Sequence, residues 1–484
     1  ALSASSGYQH IKGNNDVWKN LQWYGNIDYN YMNRYFATVS LSAEANSRFG
    51  AKSGDLDLCG VAWALFPSVQ LGWVMTNESW FPRNLGVNYL RVNAGYDMSG
   101  NDDISNYAAR TSLSAVRFNY NAIGLQLTNI GNDEIKWETN HKLNVGLQAY
   151  MLNNRLGVDF NYYVNKTKDL LTLQTFKNPI GGINNYWTNG GEIKNEGFEL
   201  SVTAKPVVTH KWNVEVGASV GHYANKVTKL PDGDYTSSVY GDNNILTSVG
   251  NPVGLFYGYK TAGVFATDAD AKAAGKDGYL YMEDNAGIRN DFKAGDVHFI
   301  DQNNDGKISE LDKVVIGDPN PDIYGNIFAT INYKNLTLTM GWNYSLGNDV
   351  YNYQRSILNS GSTFYNQQVA EVAHWRYEGQ LTDYPRLAYG DPMGNNRFSD
   401  RWIEDGSYLR LKTLNLSYKV PVPGSWTWLQ GLTIWAQANN LLTFTKYLGS
   451  DPEFSIGNGV LYQGIDCGNI AQGRSFQCGV KINL

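Results

Sequence analysis

The chain has 484 residues, enough for two or three average domains or one very large β-structure. Its 39 Lys and Arg against 45 Asp and Glu leave a net charge of −6 with no dominant basic patch, which argues against nucleic acid as a partner. Charged residues are only 17% while glycine (50 residues) and aromatics (13%) are abundant, a balance that excludes a disordered chain and suits many β-strands joined by long polar loops.

Strict alternation is the dominant signal along the chain. In YFATVSLSAEA, Tyr35, Ala37, Val39, Leu41 and Ala43 share one face, and the other face is small or polar apart from Phe36. HKLNVGLQAYM repeats the pattern with Leu143, Val145, Leu147, Ala149 and Met151, and LGVDFNYYVN with Leu156, Val158, Phe160, Tyr162 and Val164. Trp212, Val214, Val216, Ala218 and Val220 then alternate with Asn213, Glu215, Gly217 and Ser219. Period two with a single apolar face predicts half-buried antiparallel strands.

Strands are expected near 1–9, 23–31, 35–46, 61–74, 89–97, 139–150, 156–166, 196–205, 211–222, 323–333, 336–345, 407–418, 431–442 and 473–484. Each runs to about ten residues, enough to cross a bilayer at a tilt of about 45°. Short links at 31–34, 152–155 and 334–335 alternate with long stretches at 98–138, 167–195, 223–321, 346–406 and 443–472. Short turns on one side and long loops on the other predict an all-β fold, a transmembrane antiparallel β-barrel with long extracellular loops. With the last strand ending at the periplasmic rim, every long stretch falls outside. Residues 223–321, most simply without a crossing, become one very large extracellular loop.

No stretch approaches about 18 uninterrupted apolar residues, so no transmembrane helix is expected. The opening ALSASSGYQH has neither a charged n-region nor an apolar h-region, and the chain starts without Met, as a mature or truncated piece does. Cys59, Cys467 and Cys478 are odd in number and lack CxxC spacing, which describes neither a disulfide framework nor a zinc knuckle.

A series of segments in chain order is familiar: SRFG (47–50), FPSVQLGWV (66–74), LRVNAGYDMSGN (90–101), NDEIKWETNHKLNVGL (132–147), KNEGFEL (194–200) and GLFYGYKTAGVF (254–265). GDVHFIDQNNDGKISELDKVVIGDPNPDIYGNI (295–327), WIEDGSYLRLKTLNLSY (402–418), ANNLLTFTKYLGSDPE (438–453) and the closing GRSFQCGVKINL (473–484) complete it. Together they resemble the C-terminal barrel portion of a SusC/RagA-type TonB-dependent transporter of the Bacteroidetes outer membrane. The resemblance implies a barrel of about twenty-two strands. The plug, the TonB box and the first eight strands would then lie outside this chain, which would need a remaining barrel and plug segment to be whole in the lipid bilayer. It further implies a SusD-like surface lipoprotein as lid, the TonB complex acting through the plug, an oligosaccharide or oligopeptide as cargo, and no catalysis. Loops 223–321 and 346–406 are expected to meet the lid. Rival readings keep the barrel as a passive channel or a surface-assembly platform, or make the chain a soluble calcium-stabilised adhesin. The closing Leu484 departs from the aromatic residue the family usually ends on.

One motif stands apart. DQNNDGKISELD nearly repeats the spacing of an EF-hand loop, with Asp301, Asn303, Asp305 and Asp312 as side-chain ligands, Lys307 by its carbonyl and Ser309 directly or through water. Gly306 allows the sharp turn and Ile308 is expected to anchor the loop. Asp at the twelfth place shortens the reach of the usual Glu, and the flanks read as extended, so no helix pair exists to open. Structural calcium and a metal-free Asx-rich turn both stand as readings.

Other motifs carry less. GASVG (217–221) matches a serine-hydrolase elbow but lacks the helix that must follow. His10, His141, His210, His222, His298 and His374 are scattered, and Glu134 and Glu138 read as solvated charges rather than a glycosidase pair. Trp18, Trp23, Trp73, Trp80, Trp137, Trp402 and Trp428 lie near strand ends, where rings favour the membrane interface. Tyr351, Tyr353, Tyr365, Trp375 and Tyr377 either pack the loops or stack on sugar.

Overall fold

The computed structural model describes residues 16–119, 122–180, 183–239, 245–284, 286–423, 428–454, 456–457 and 459–483. Within them run thirteen long strands: β1 (Asn20–Tyr31), β2 (Tyr35–Asn46), β3 (Val61–Val74), β4 (Val87–Asn101), β5 (Glu138–Met151), β6 (Leu156–Lys168), β7 (Glu192–Val208), β8 (Trp212–Lys229), β9 (Ile323–Tyr333), β10 (Leu336–Leu346), β11 (Tyr408–Val420), β12 (Gly431–Thr445) and β13 (Ser475–Asn483). They hydrogen-bond in chain order in one sheet, and Leu56–Leu58 joins beside β3 as a fourteenth strand. All of the long strands expected from the alternation are present except the one at 1–9, which lies outside the described residues, as do His10 and Leu484. Several run longer than expected: β7 has 17 residues and β8 has 18, so the largest insertion is 230–322.

Compactness divides the chain into two units, one of Ala1–Glu78, Val92–Val145 and Val164–Lys194, the other of Ser79–Arg91, Gly146–Tyr163 and Asn195–Leu484. In the first, the β1–β2–β3 ladder has two unlike faces. Across it, Ile27 opposes Val39 and Val39 opposes Val69, while Tyr29 opposes Ala37 and Ala37 opposes Leu71. Ile27, Val39 and Leu71 are exposed. The opposite face is polar and self-bonded: Asn20 donates to Glu44 at 2.8 Å, Gln22 to Ser42 at 2.9 Å, Ser40 to Asn26 at 2.7 Å and Thr38 to Asp28 at 2.6 Å. At the tight 32–34 turn, Tyr29, Tyr31, Tyr35 and Trp73 form a stacked row with ring centroids 6.3–6.5 Å apart. Met32 and Asn33 take the left-handed conformation that a turn this short demands.

The second unit repeats the two-faced design. Ile331 opposes Val214 and Leu338, Leu338 opposes Leu416, Leu416 opposes Ala436, and Ala436 opposes Cys478. Exposure of Leu416, Ile434, Phe476 and Val480 on a regular strand face is what lipid contact produces, since water would penalise so large an apolar patch. Trp212 and Tyr333 meet at 4.4 Å beside the 334–335 turn, whose Lys334 is left-handed.

The insertions fold on themselves. In the first unit two hairpins, Ser112–Asn119 with Ala122–Asn129 and Leu171–Ile180 with Ile183–Asn189, fill stretches expected as loops. Phe49, Phe66, Ile104, Ile135 and Trp137 pack there as a small core. In the second unit, insertions 230–322, 347–407 and 446–474 form small sheets: Leu255–Gly258 pairs with Val314–Gly317, and Asp349–Asn352 pairs in parallel with Ile465–Asp466. Two cores hold these insertions, one of Tyr259, Phe265, Leu280, Phe292, Val297, Phe299, Ile308 and Met393, the other of Ile245, Phe256, Tyr351, Phe398, Trp402 and Ile465. Asp296, wholly buried, receives Arg386 in a fork at 2.8 and 3.0 Å and the Asn395 amide at 3.0 Å.

Candidate functional site

The structure gathers all six residues of the calcium-like loop into one turn. Asn304 (φ +58°) and Gly306 (φ +87°) supply the left-handed corners. Asp301 accepts the Asp305 N–H at 3.3 Å and the Gly306 N–H at 2.6 Å. Asn303 accepts the Asp305 N–H at 2.9 Å, and Asp305 accepts that of Lys307 at 2.8 Å. Asp312 is wholly buried and accepts the Gln302 N–H at 3.0 Å and the Ser309 N–H at 2.7 Å, while the Ser309 hydroxyl accepts the Leu311 N–H at 3.2 Å.

Lys307 pairs with Glu283 at 2.6 Å, and the Ile308 side chain enters the Phe292–Phe299 core. An all-oxygen donor set suits a hard cation. The carboxylates are nevertheless already acceptors for backbone N–H groups, and among the described residues no group of three or more His, Cys, Asp or Glu side chains converges as a metal cluster. In chemistry the loop fits calcium; in assembled geometry it is a turn that caps itself.

A second feature has no local mark in the sequence. The insertions of the second unit line an open cavity of about 780 Å³, within the range of small-ligand pockets. One wall is the helix α1 (Tyr353–Leu358), whose N-terminus is capped by Asn352 accepting the Arg355 N–H at 3.0 Å. Arg355 is ion-paired with Glu404 and donates to the Arg401 carbonyl. Arg401 donates to the carbonyls of Asn395 at 3.0 Å and Asp383 at 3.1 Å. Both guanidiniums lie over the ring of Trp402, at 5.5 and 4.9 Å. Glu404 also accepts the Leu448 N–H at 2.9 Å, which ties in the third insertion. Beside the cavity, burial pushes the Glu371 carboxyl up to about 7 against the pull of Arg401, and burial lowers Arg401 itself to about 10.

Two tryptophans differ from their expected role, and one tyrosine takes the packing role of the two open to it. Trp137 and Trp402 are almost wholly buried in insertion cores rather than standing at a membrane interface, because the insertions fold back over them. Tyr351 is likewise buried, so no sugar can stack on it. An exposed tract does exist further on: Phe364, Tyr365, Val369, Val372, Tyr377, Leu381 and Tyr389 are each at least 67% exposed, and Phe364 stacks on Tyr389 at 4.9 Å.

Ser219 lies mid-strand in β8, where its hydroxyl accepts the Asn326 N–H at 3.3 Å, which removes the hydrolase reading. Glu138 accepts the Leu171 N–H at 3.2 Å as a structural brace. No residue spacing announces the cavity, since Thr261, Arg355, Arg401 and Leu448 converge only through the folding of three insertions.

The family model for TonB-dependent receptor-like β-barrels matches residues 2–441. The chain is 31% identical to TonB-dependent receptor P3 of Formosa agariphila over 95% of its own length and 45% of that relative. It is 26% identical to TonB-dependent receptor SusC of Bacteroides thetaiotaomicron over 96% of its length and 44% of that relative. Its fold matches a chain of the RagAB peptide transporter with a TM-score of 0.77 at 23% identity, covering 96% of this chain and 48% of that one. The chain therefore spans about half the length of the relatives it matches.

Proposed function

This chain belongs to the TonB-dependent receptor β-barrel family and is an outer-membrane protein of SusC/RagA type rather than an enzyme, and on that premise we propose that it forms the strand-rich part of an active importer energised through TonB. The observation that carries the reading is the two-faced sheet, apolar and exposed on one side, polar and cross-bonded on the other, with aromatic rows at its tight turns. A soluble adhesin would have no use for that outward face. The cargo is an oligosaccharide or an oligopeptide. The partner is a SusD-like lipoprotein lid, for which the exposed tract from Phe364 to Tyr389 offers an apolar landing surface.

The test is uptake and co-purification. Protein extracted from outer membranes in detergent should retain a lipoprotein, and Phe364→Glu with Tyr389→Glu should release it. Labelled glycan or peptide should cease to enter cells when TonB is deleted. Uptake that continues undiminished without TonB would leave the passive channel as the correct reading.

Calcium at residues 301–312 is the second part of the proposal, supported by the spacing and the all-oxygen donor set around the Gly306 turn. Bound calcium would stiffen a loop already braced by its own hydrogen bonds. Calcium should slow proteolysis within this segment, a chelator should reverse the effect, and Asp305→Ala should remove it. Equal cleavage with and without calcium would leave the self-capped turn alone.

A further inference from the structure

The cavity among the insertions has an uneven balance of charge and hydrogen bonding. Of its two guanidiniums, Arg355 is neutralised by Glu404. Arg401 instead donates to two carbonyls and, among the described residues, hydrogen-bonds no carboxylate, the Glu371 carboxyl acting on it only through its charge. A desolvated guanidinium held by neutral acceptors is an anion site in waiting, and its planar fork matches a carboxylate. On the same cavity wall, Asn359 is 3% exposed and its side-chain oxygen is buried without a hydrogen-bond partner, so that a turn of the amide is needed to present it to the cavity. A buried acceptor left in that state is costly unless something donates to it. A neutral sugar held by stacking is excluded, because the Trp402 ring is already covered by Arg355 and Arg401.

We propose that this cavity binds a small carboxylate that also carries an N–H or O–H donor, with Arg401 taking the carboxylate and the Asn359 oxygen taking the donor. A peptide terminus and an acidic sugar both present that pair of groups. The site is defined by the insertions alone, so the inference does not rest on the importer reading, and its test is binding rather than uptake.

Calorimetry on the detergent-purified protein uses four probes: dialanine and its C-terminal amide, and glucuronate and its methyl ester. At least one acid should bind about tenfold more tightly than its neutral counterpart, the scale of a charge-assisted hydrogen bond. Binding by dialanine alone marks a peptide terminus, by glucuronate alone an acidic sugar, and by both a site governed by the carboxylate. Arg401→Gln should remove the difference between acid and neutral form. Since that change also strips donors from two carbonyls, Asn359→Ala serves as the second variant: it removes an atom with no partner, leaves both guanidiniums in place, and should weaken binding about fivefold. Near-UV circular dichroism confirms that each variant is folded. The proposal is overturned if neither acid binds, if amide and ester bind as tightly as the acids, or if Asn359→Ala leaves the affinity unchanged.

Discussion

The long strands and the insertions between them treat apolar side chains in opposite ways. Along β8–β13 of the second unit, Leu416, Ile434 and Val480 stand outward, and the polar residues between them point to the other face. In the insertions of the same unit, Phe256, Phe292, Phe299 and Trp402 turn inward and are all but inaccessible. One region is therefore ordered by backbone ladders with its greasy side turned out, the other by ordinary core packing with short ladders. The difference teaches that this chain needs two solvents. The strands are satisfied only where hydrocarbon lies alongside, whereas the insertions carry the close-packed interior of a water-soluble domain.

Each region should accordingly fail in its own way. The largest effect is expected inside the insertions: Arg386→Leu strands the wholly buried Asp296 without its fork and should cost about 3–5 kcal/mol locally. Limited proteolysis should then nick 260–300 and 380–400 while the strands stay resistant. Cleavage that spreads at once into β8–β13 would show that the two regions are one cooperative body.

Next comes the outward face, where Leu416→Arg should lower stability by about 2–4 kcal/mol if it meets hydrocarbon. Denaturant unfolding in lipid against detergent checks this, with Asn415→Ser on the opposite face as the control of small effect. A Leu416→Arg protein as stable as the parent would break the comparison outright.

The smallest expected effect is a pH dependence confined to the insertions. The folded value of Glu371, about 7, lies above its ordinary value of 4.5, so the folded state holds the proton more tightly. Its contribution is fully present below the unfolded value and is lost as pH rises through about 7. Hydrogen exchange at 369–373, corrected for intrinsic rates, should be faster at pH 8 than at pH 5.5, and Glu371→Gln should flatten the difference.

The alternation of Tyr35, Val39 and Leu41, or of Val214, Val216 and Ala218, made the long strands legible because a face repeated every second residue has only one regular solution. The insertions carry no such period. In the second unit their strands run two to four residues, and partners lie far along the chain: Phe256 pairs with Gly317 and Tyr351 with Ile465. Proximity to a strand end also misplaced Trp137 and Trp402, since position in the chain cannot show whether a loop returns to cover a ring. The Asp301–Asp312 turn was visible from its spacing alone, whereas Arg401 and Asn359 had no local pattern to mark them. Their meaning arises from a fold assembled over more than a hundred residues.

The parallel pairing of Asp349–Asn352 with Ile465–Asp466 constrains the order in which the insertions can fold. Ile465 sits in the same core as Ile245 and Phe256, so the insertion at 230–322 cannot complete its interior until residues more than two hundred positions further on have joined it. Contacts that span this much sequence are slow to close. For that interval the half-built outer face exposes Phe256 and Trp402 to water, which makes the last insertion the latch that ends the chain's most vulnerable stage.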